Sequence, residues 1–144
     1  MQYVLDTNTC IYAIKKRPPS VVRRLTAILE SDPSLVAISS VTLSELEYGV
    51  QKSADPTRNR LALAGFLTPL QILSYDDRAA QTYGWIRALL ERRGALIGPL
   101  DVLIAAHALC VEATLVTDNE REFRRVPGLR MENWASRTRA TGRR

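Results

Sequence analysis

The sequence predicts a single α/β domain in which helices flank a mostly parallel β-sheet. Short apolar segments alternate with longer segments of helical periodicity, and the connections between them are short. The 144 residues suit one domain, and 46% hydrophobic and 24% charged residues are typical of a globular protein. No apolar run approaches the roughly 20 residues that cross a bilayer, and no basic segment leads into an apolar signal core. We therefore expect a cytoplasmic protein without a membrane partner.

In the first half of the chain, proline, serine and glycine mark the predicted element ends. Pro18-Pro19 should stop the first helix, Ser20 should cap the second, and Gly49 lies near the end of the third. The predicted strands are residues 1–5 and 35–38, and the predicted helices are residues 9–16, a segment capped by Ser20, residues 42–51 and residues 56–67.

In the second half, Asp76 or Asp77 should cap a long helix, with Gly94 beyond its end, and Gly98-Pro99 marks a turn. The predicted strands are residues 70–73, 114–117 and 129–131, and the predicted helices are residues 77–92 and 101–111. The domain is expected to span residues 1–135, because residues 136–144 form a basic tail that is predicted to be disordered.

The charge of the chain favours a nucleic-acid partner. The net charge is +5, and 17 of the 20 basic residues are arginine, whose planar side chain binds phosphate in a bidentate manner. A solubilising surface with a disordered tail would have the same composition. An acidic site within a basic protein favours nucleic acid over that alternative.

Histidine and cysteine chemistry is not indicated. Cys10 and Cys110 lack the spacing of a disulfide framework or a zinc site, and both lie in apolar helical segments. His107 is the only histidine, so a histidine-based zinc site or a Ser-His-Asp triad would depend on it entirely. We expect all three to be packing residues.

Five acidic residues lie where apolar segments meet turns or helices. Asp6 and Asp118 directly follow predicted strands, Asp101 precedes a helix, Glu45 lies one turn into another, and Glu122 follows Asp118 by four residues. Parallel sheets place their ligands beyond the carboxyl ends of the strands. The fold can therefore gather these acids in one cleft.

Each acid taken alone has a simpler explanation. Asp6 and Asp101 could cap helices, Glu45 could complete a capping box with Thr42, Asp118 could belong to a turn, and Glu122 could be a solvated charge. Taken together, clustered carboxylates raise one another's pKa unless a cation relieves the repulsion. Mg²⁺ or Mn²⁺ prefers such oxygen ligands and can activate water against a phosphodiester.

Three polar residues accompany the acids. Asn8, Thr117 and Asn119 lie beside Asp6 and Asp118 in the sequence and could orient ligands or a scissile phosphate. The pattern favours a metal-dependent phosphodiesterase, and the basic charge favours a ribonuclease.

Five segments, in this order, resemble the motifs of PIN-domain nucleases, and in particular of VapC toxins from type II toxin-antitoxin pairs. They are Leu5-Asp6-Thr7-Asn8, Ser44–Gly49, Ile97–Ala108, Leu115–Phe123 and Val126–Trp134. The resemblance implies a three-layer α/β/α sandwich with a central, mostly parallel sheet. It also implies a Mg²⁺- or Mn²⁺-dependent endoribonuclease that cuts structured RNA, commonly a tRNA, and a homodimer held inactive by a VapB-like antitoxin.

The resemblance also assigns roles to residues. Asp6, Glu45 and Asp101 match the family's three acidic positions. The fourth acid is Glu122 if the segment follows the pattern Thr-x-Asn-x-Arg-Glu-Phe, with Asp118 as the neighbouring candidate, because Asn119 occupies the position where many PIN domains have aspartate. The alternatives are a catalytically silent PIN-fold module that binds RNA or protein, and a PIN domain that cuts DNA.

Overall fold

A five-stranded, fully parallel sheet forms the centre of the protein. The computed structural model describes residues 2–135. The strand order is β3-β2-β1-β4-β5, and every neighbouring pair is parallel. The strands are β1 (Tyr3–Leu5), β2 (Val36–Ser39), β3 (Gln71–Leu73), β4 (Thr114–Val116) and β5 (Arg130–Glu132).

Helices connect the strands, and a 3-10 turn at Pro33–Leu35 precedes β2. They are α1 (Thr7–Lys15), α2 (Pro19–Ser31), α3 (Ser40–Lys52), α4 (Pro56–Leu67), α5 (Asp77–Arg92), α6 (Pro99–Cys110) and α7 (Glu120–Phe123). All five predicted strands and all six predicted helices are present, with α7 as an addition.

The helices form two layers because neighbouring strand residues point to opposite faces of the sheet. Val4 and Leu115 pack with α5, α6 and the buried Phe123 of α7. Leu5 and Val116 pack with α1 to α4 on the other face. The predicted three-layer α/β/α sandwich is therefore confirmed.

Four helix starts differ from the prediction, since α1, α2, α3 and α6 each begin about two residues earlier than predicted. The second helix is capped by Pro18 and begins at Pro19, so Ser20 lies inside it and makes no cap. Proline suits the first helical position, where its missing N–H would have no partner. The first helix begins at Thr7, because Asp6 caps it.

The capping expectations for Glu45 and Asp101 were wrong. Ser39 caps α3 by accepting a hydrogen bond from the Val41 N–H, so Thr42 and Glu45 form no capping box. Gly98 occupies the cap position of α6 without a side-chain bond, and Asp101 lies within the first turn. Neither carboxylate therefore caps its helix, although Asp101 lies where an anion favours a helix N-terminus.

Within residues 2–135, no helix is long and apolar enough to span a membrane. The predicted tail, residues 136–144, lies outside the described part of the chain. Cys10 and His107 are buried, as expected of packing residues.

Candidate active site

Asp6 lies at the carboxyl edge of the sheet, where β1 and β4 are paired. Its N–H donates to the Val116 carbonyl oxygen at 3.0 Å, and its Oδ1 accepts from the Thr9 N–H at 2.9 Å. The Thr117 side chain also hydrogen-bonds to the carboxylate, whereas the Thr9 hydroxyl donates to the Val116 carbonyl oxygen at 3.1 Å. Burial raises the pKa of Asp6, these bonds lower it, and the charge of Asp118 adds to the rise. The fold therefore fixes this carboxylate in place.

Glu45 reaches the same edge from α3. It is half-buried, and its Oε1 accepts a hydrogen bond from the Thr7 hydroxyl at the start of α1. Thr7 directly follows Asp6 and begins α1, so this bond connects α1 to Glu45.

Asp101 is the most perturbed acid of the group. Burial, followed by the charges of Asp6, Glu45 and Glu122, raises its pKa from 3.8 to about 6. Burial is the largest cause, and the three charges add to it because they lie within electrostatic range of Asp101. The four acids therefore share one electrostatic site. Glycine at position 98 keeps the site open, because a Cβ there would lie 3.3 Å from Asp101 Oδ2.

Glu122 and Asp118 occupy different surroundings. Glu122, on α7, lies 3.8 Å from Arg125 Nη2, and Arg125 Nη1 donates to the Leu96 carbonyl oxygen at 3.1 Å. Asp118 is exposed and accepts a hydrogen bond from the Tyr12 hydroxyl, which raises the pKa of Tyr12 to about 12. Its charge acts on Asp6, whereas Glu122 acts on Asp101.

The three polar residues predicted to orient ligands are placed unequally. Thr117 is fully buried and contacts Asp6, while its hydroxyl accepts from the Asn119 N–H at 2.9 Å. Asn119 is half-buried and Asn8 is exposed on α1. Of the three, Thr117 thus contacts an acid directly.

Sequence reasoning missed the donors that hold the acids. The hydroxyls of Thr7 and Tyr12 donate to Glu45 and Asp118, and the Thr9 N–H donates to Asp6. For Thr9 a signal existed, since a residue three positions after a helix cap donates its N–H to that cap. The other two bonds join residues far apart in the sequence and had no local signal.

The donor set suits a hard divalent cation held partly through water. All four donors are carboxylates, and the raised pKa of Asp101 records negative charge that is not neutralised. Among residues 2–135, no three His, Cys, Asp or Glu side chains form a ready-made metal-ligand group. Mg²⁺ commonly keeps several waters and binds through one or two carboxylates, so it does not require a preformed group of three.

An apolar groove of about 340 Å³ lies beside Glu45, between α1, α3 and α4. Glu45 forms part of its wall, and Gly49 lines it with open space above its Cα. The other lining residues are Ile11, Ile14, Lys15, Leu46, Val50, Ser53, Asn59, Ala62 and Leu63.

Comparison with known proteins identifies close relatives. Residues 3–129 match the family model of the PIN domain. The chain is 45% identical to Ribonuclease VapC2 of Rickettsia felis over 134 residues, covering 93% of this chain and 98% of that protein. It is also 45% identical to the tRNA(fMet)-specific endonuclease VapC of Salmonella typhimurium, with the same 93% and 98% coverage.

A solved structure shows the same fold. A chain in the crystal structure of VapBC2 from Rickettsia felis, bound to a DNA fragment from their promoter, superposes with a TM-score of 0.87 at 43% identity. The match covers 93% of this chain and 99% of that chain.

The raised pKa of Asp101 leads to a stability prediction for the metal-free protein. Because the folded pKa is about 6 and the ordinary value is 3.8, the folded state binds the proton more tightly. The free energy of unfolding therefore falls as pH rises from about 4 to 6. The shift corresponds to about 3 kcal/mol, which solvent screening of this half-buried group reduces to about 2 kcal/mol. The free energy of unfolding of Asp101→Asn should exceed that of wild type by this amount at pH 8, and the difference should vanish below pH 4. Urea unfolding in EDTA measures both.

The matched control is Asp77→Asn, which removes an exposed first-turn aspartate from α5. It should lower stability slightly, because an anion favours a helix N-terminus. An Asp101→Asn variant no more stable than wild type at pH 8 would contradict the electrostatic account.

Proposed function

The chain belongs to the PIN-domain family, within the VapC ribonucleases, and from this we propose that it is a Mg²⁺- or Mn²⁺-dependent endoribonuclease toxin. It hydrolyses phosphodiester bonds in a tRNA or another structured RNA of translation, acts in the cytoplasm as a homodimer, and is neutralised by a VapB-like antitoxin. The observation that carries the proposal is the shared electrostatic site of four acids, recorded in the pKa of Asp101.

Each acid has its own role in binding the cation. Asp6 and Asp101 are the principal ligands, Glu45 completes the shell directly or through water, and Glu122 holds a second ion or its hydration water. When bound, the cation supplies positive charge to the scissile phosphate and lowers the pKa of the attacking water.

The chain's own hydrogen bonds prepare the ligands. Thr9 and Thr117 stabilise Asp6 as an anion, and Thr7 orients Glu45. Asp101 holds a proton most readily, since its pKa is about 6. Cation binding competes with that proton, so affinity for the cation declines as pH falls through about 6.

Arginines beside the acids supply the contacts to RNA. Arg121 and Arg124 are exposed next to Glu122, where guanidinium groups can bind backbone phosphates. Asn8 and Asn119 orient the scissile phosphate. Because phosphate contacts release counterions, RNA affinity falls as salt rises.

We assign the groove between α1, α3 and α4 as the binding site of the antitoxin. Its apolar residues, among them Ile14 and Leu46, suit an apolar peptide segment, and Glu45 at its wall suits a basic side chain on that segment. A segment held there covers the acidic site. The likeness to the chain in the VapBC2 complex supports such a partner.

Cleavage should depend on the divalent cation and on Asp6. Purified protein should cut a tRNA transcript with Mg²⁺ or Mn²⁺ and lose all cutting in EDTA. Asp6→Asn should lower the cleavage rate about 100-fold, because it removes a principal ligand. Asp32→Asn, at an exposed aspartate outside the site, is the control and should cut normally.

The same assay separates the alternative functions. Cleavage that survives in Asp6→Asn, or in a variant that also carries Asp101→Asn, would sink the mechanism. Metal-independent RNA binding without cleavage would indicate a silent binding module. Preference for a matched DNA substrate would indicate a DNA-cutting PIN domain.

Glu122 rather than Asp118 should be the fourth acid. Both Glu122→Gln and Asp118→Asn remove one negative charge, so they form a matched pair. Glu122→Gln should weaken Mn²⁺ binding and slow cleavage about tenfold more than Asp118→Asn, as measured by calorimetric titration and initial rates. An equal loss in both variants, or the reverse order, would assign the role to Asp118 or to both residues.

Blocking the groove should separate inhibition from catalysis. Ala62 and Ala64 are both exposed on α4, and only Ala62 lines the groove. Ala62→Trp should lower the affinity for the candidate antitoxin, the protein encoded by an adjacent upstream reading frame, at least about tenfold. The reason is that the indole side chain fills the groove. Ala64→Trp should bind normally, and both should still cut RNA. Equal binding by the two variants would place the antitoxin elsewhere.

A further inference from the structure

A buried junction joins α6 to the start of α3. His107 Nδ1 and Ser39 Oγ lie 2.8 Å apart, and the two residues are 3% and 0% exposed. The Ser39 hydroxyl also accepts the Val41 N–H at 3.0 Å, which caps α3. One hydroxyl group thus binds both helices.

Tyr75, in the loop after β3, contacts both sides of this junction. Its ring packs edge-on against the imidazole of His107, with centroids 5.5 Å apart and planes at 84°. Its N–H donates to Ser40 Oγ at 3.0 Å. Burial lowers the pKa of His107, against the opposing charge of Asp76, so the imidazole is neutral at pH 7. A neutral ring offers one donor and one acceptor, and the Ser39 hydroxyl can pair with either.

The junction and the acids are spaced equally along both helices. Glu45 follows Ser39 by six residues, and Asp101 precedes His107 by six, a rise of about 9 Å on each helix. The two helices contact one another. The Ser39–His107 bond therefore joins the helix that carries Asp101 to the start of the helix that carries Glu45.

We propose that His107 is a positioning residue whose bond to Ser39 sets the register of α3 against α6, and through it the separation of Glu45 and Asp101. The inference rests on the proposed function, because the separation matters only if the acids hold a cation. A helix transmits an axial shift along its length, and a displacement of about 1 Å in a catalytic group can cost 100-fold in rate.

The test compares two amides at position 107. The amide atoms of asparagine lie as many bonds from Cα as Nδ1 of histidine, whereas those of glutamine match Nε2. His107→Asn can therefore keep the bond to Ser39, and His107→Gln cannot. We expect His107→Gln to raise the Kd for Mn²⁺ about tenfold in the RNA-free protein and to lower kcat similarly, with KM for RNA unchanged. His107→Asn should stay within about threefold of wild type in both.

A control must separate a loss of folding stability from a displacement of the acids. Leu25→Ala removes a buried side chain from α2, which carries none of the four acids, and should lower the Tm without changing the Kd for Mn²⁺. A purely structural His107 would behave in the same way. An unchanged Kd in folded His107→Gln, or equal losses in the two amide variants, would overturn the inference.

A second pair of variants tests the same hydrogen bond through Ser39. Ser39→Ala removes both the cap of α3 and the bond to His107, and Asp55→Ala removes the cap of α4 alone. Ser39→Ala should weaken Mn²⁺ binding about tenfold, and Asp55→Ala should only lower the Tm. Equal Mn²⁺ affinities in these two variants would overturn the inference even if the histidine variants did not fold. Wild-type protein that fails to cut RNA with Mn²⁺ would instead refute the proposed function.

Discussion

Mutual repulsion between carboxylates is the constraint around which this structure is arranged. Asp6 is buried at the edge of the sheet, and Asp101 lies within the field of three other acids. Such groups remain charged only where hydrogen bonds or cations stabilise them. The bonds that Thr9 and Thr117 make to Asp6 serve this purpose, and they also fix the start of α1 and the end of β4. The fold and the site are stabilised by the same contacts.

The four acids are not stabilised equally. Asp6 has several hydrogen-bond donors, and Glu45 has the Thr7 hydroxyl. Asp101 is left with burial and repulsion, which raise its pKa. A protein selected for stability alone would have a neutral or apolar residue there. The electrostatic strain is therefore concentrated on one side chain, where binding of positive charge releases it.

The sequence predicted the layers better than the contacts between them. Strand alternation, as at Val4 and Leu5, depends on neighbouring residues, and the parallel sheet between helices followed from the α/β pattern. Helix starts were less predictable, because Ser20 competed with Pro19 for the start of α2. The acids could be found by motif, but the bond from Ser39 to His107 joins residues 68 positions apart. No local pattern reports such a contact, because only the packed fold brings the two groups together.

The central position of β1 has a consequence for biosynthesis. Tyr3 pairs with Val36 on one side and with Thr114 on the other. Strand β1 can therefore complete its pairing only after β4 has been synthesised. Long-range parallel pairing of this kind forms late in folding. Until β4 emerges, the nascent chain has half a sheet and no closed acidic pocket. The edge that holds Asp6 between β1 and β4 is therefore completed only after most of the chain has been made.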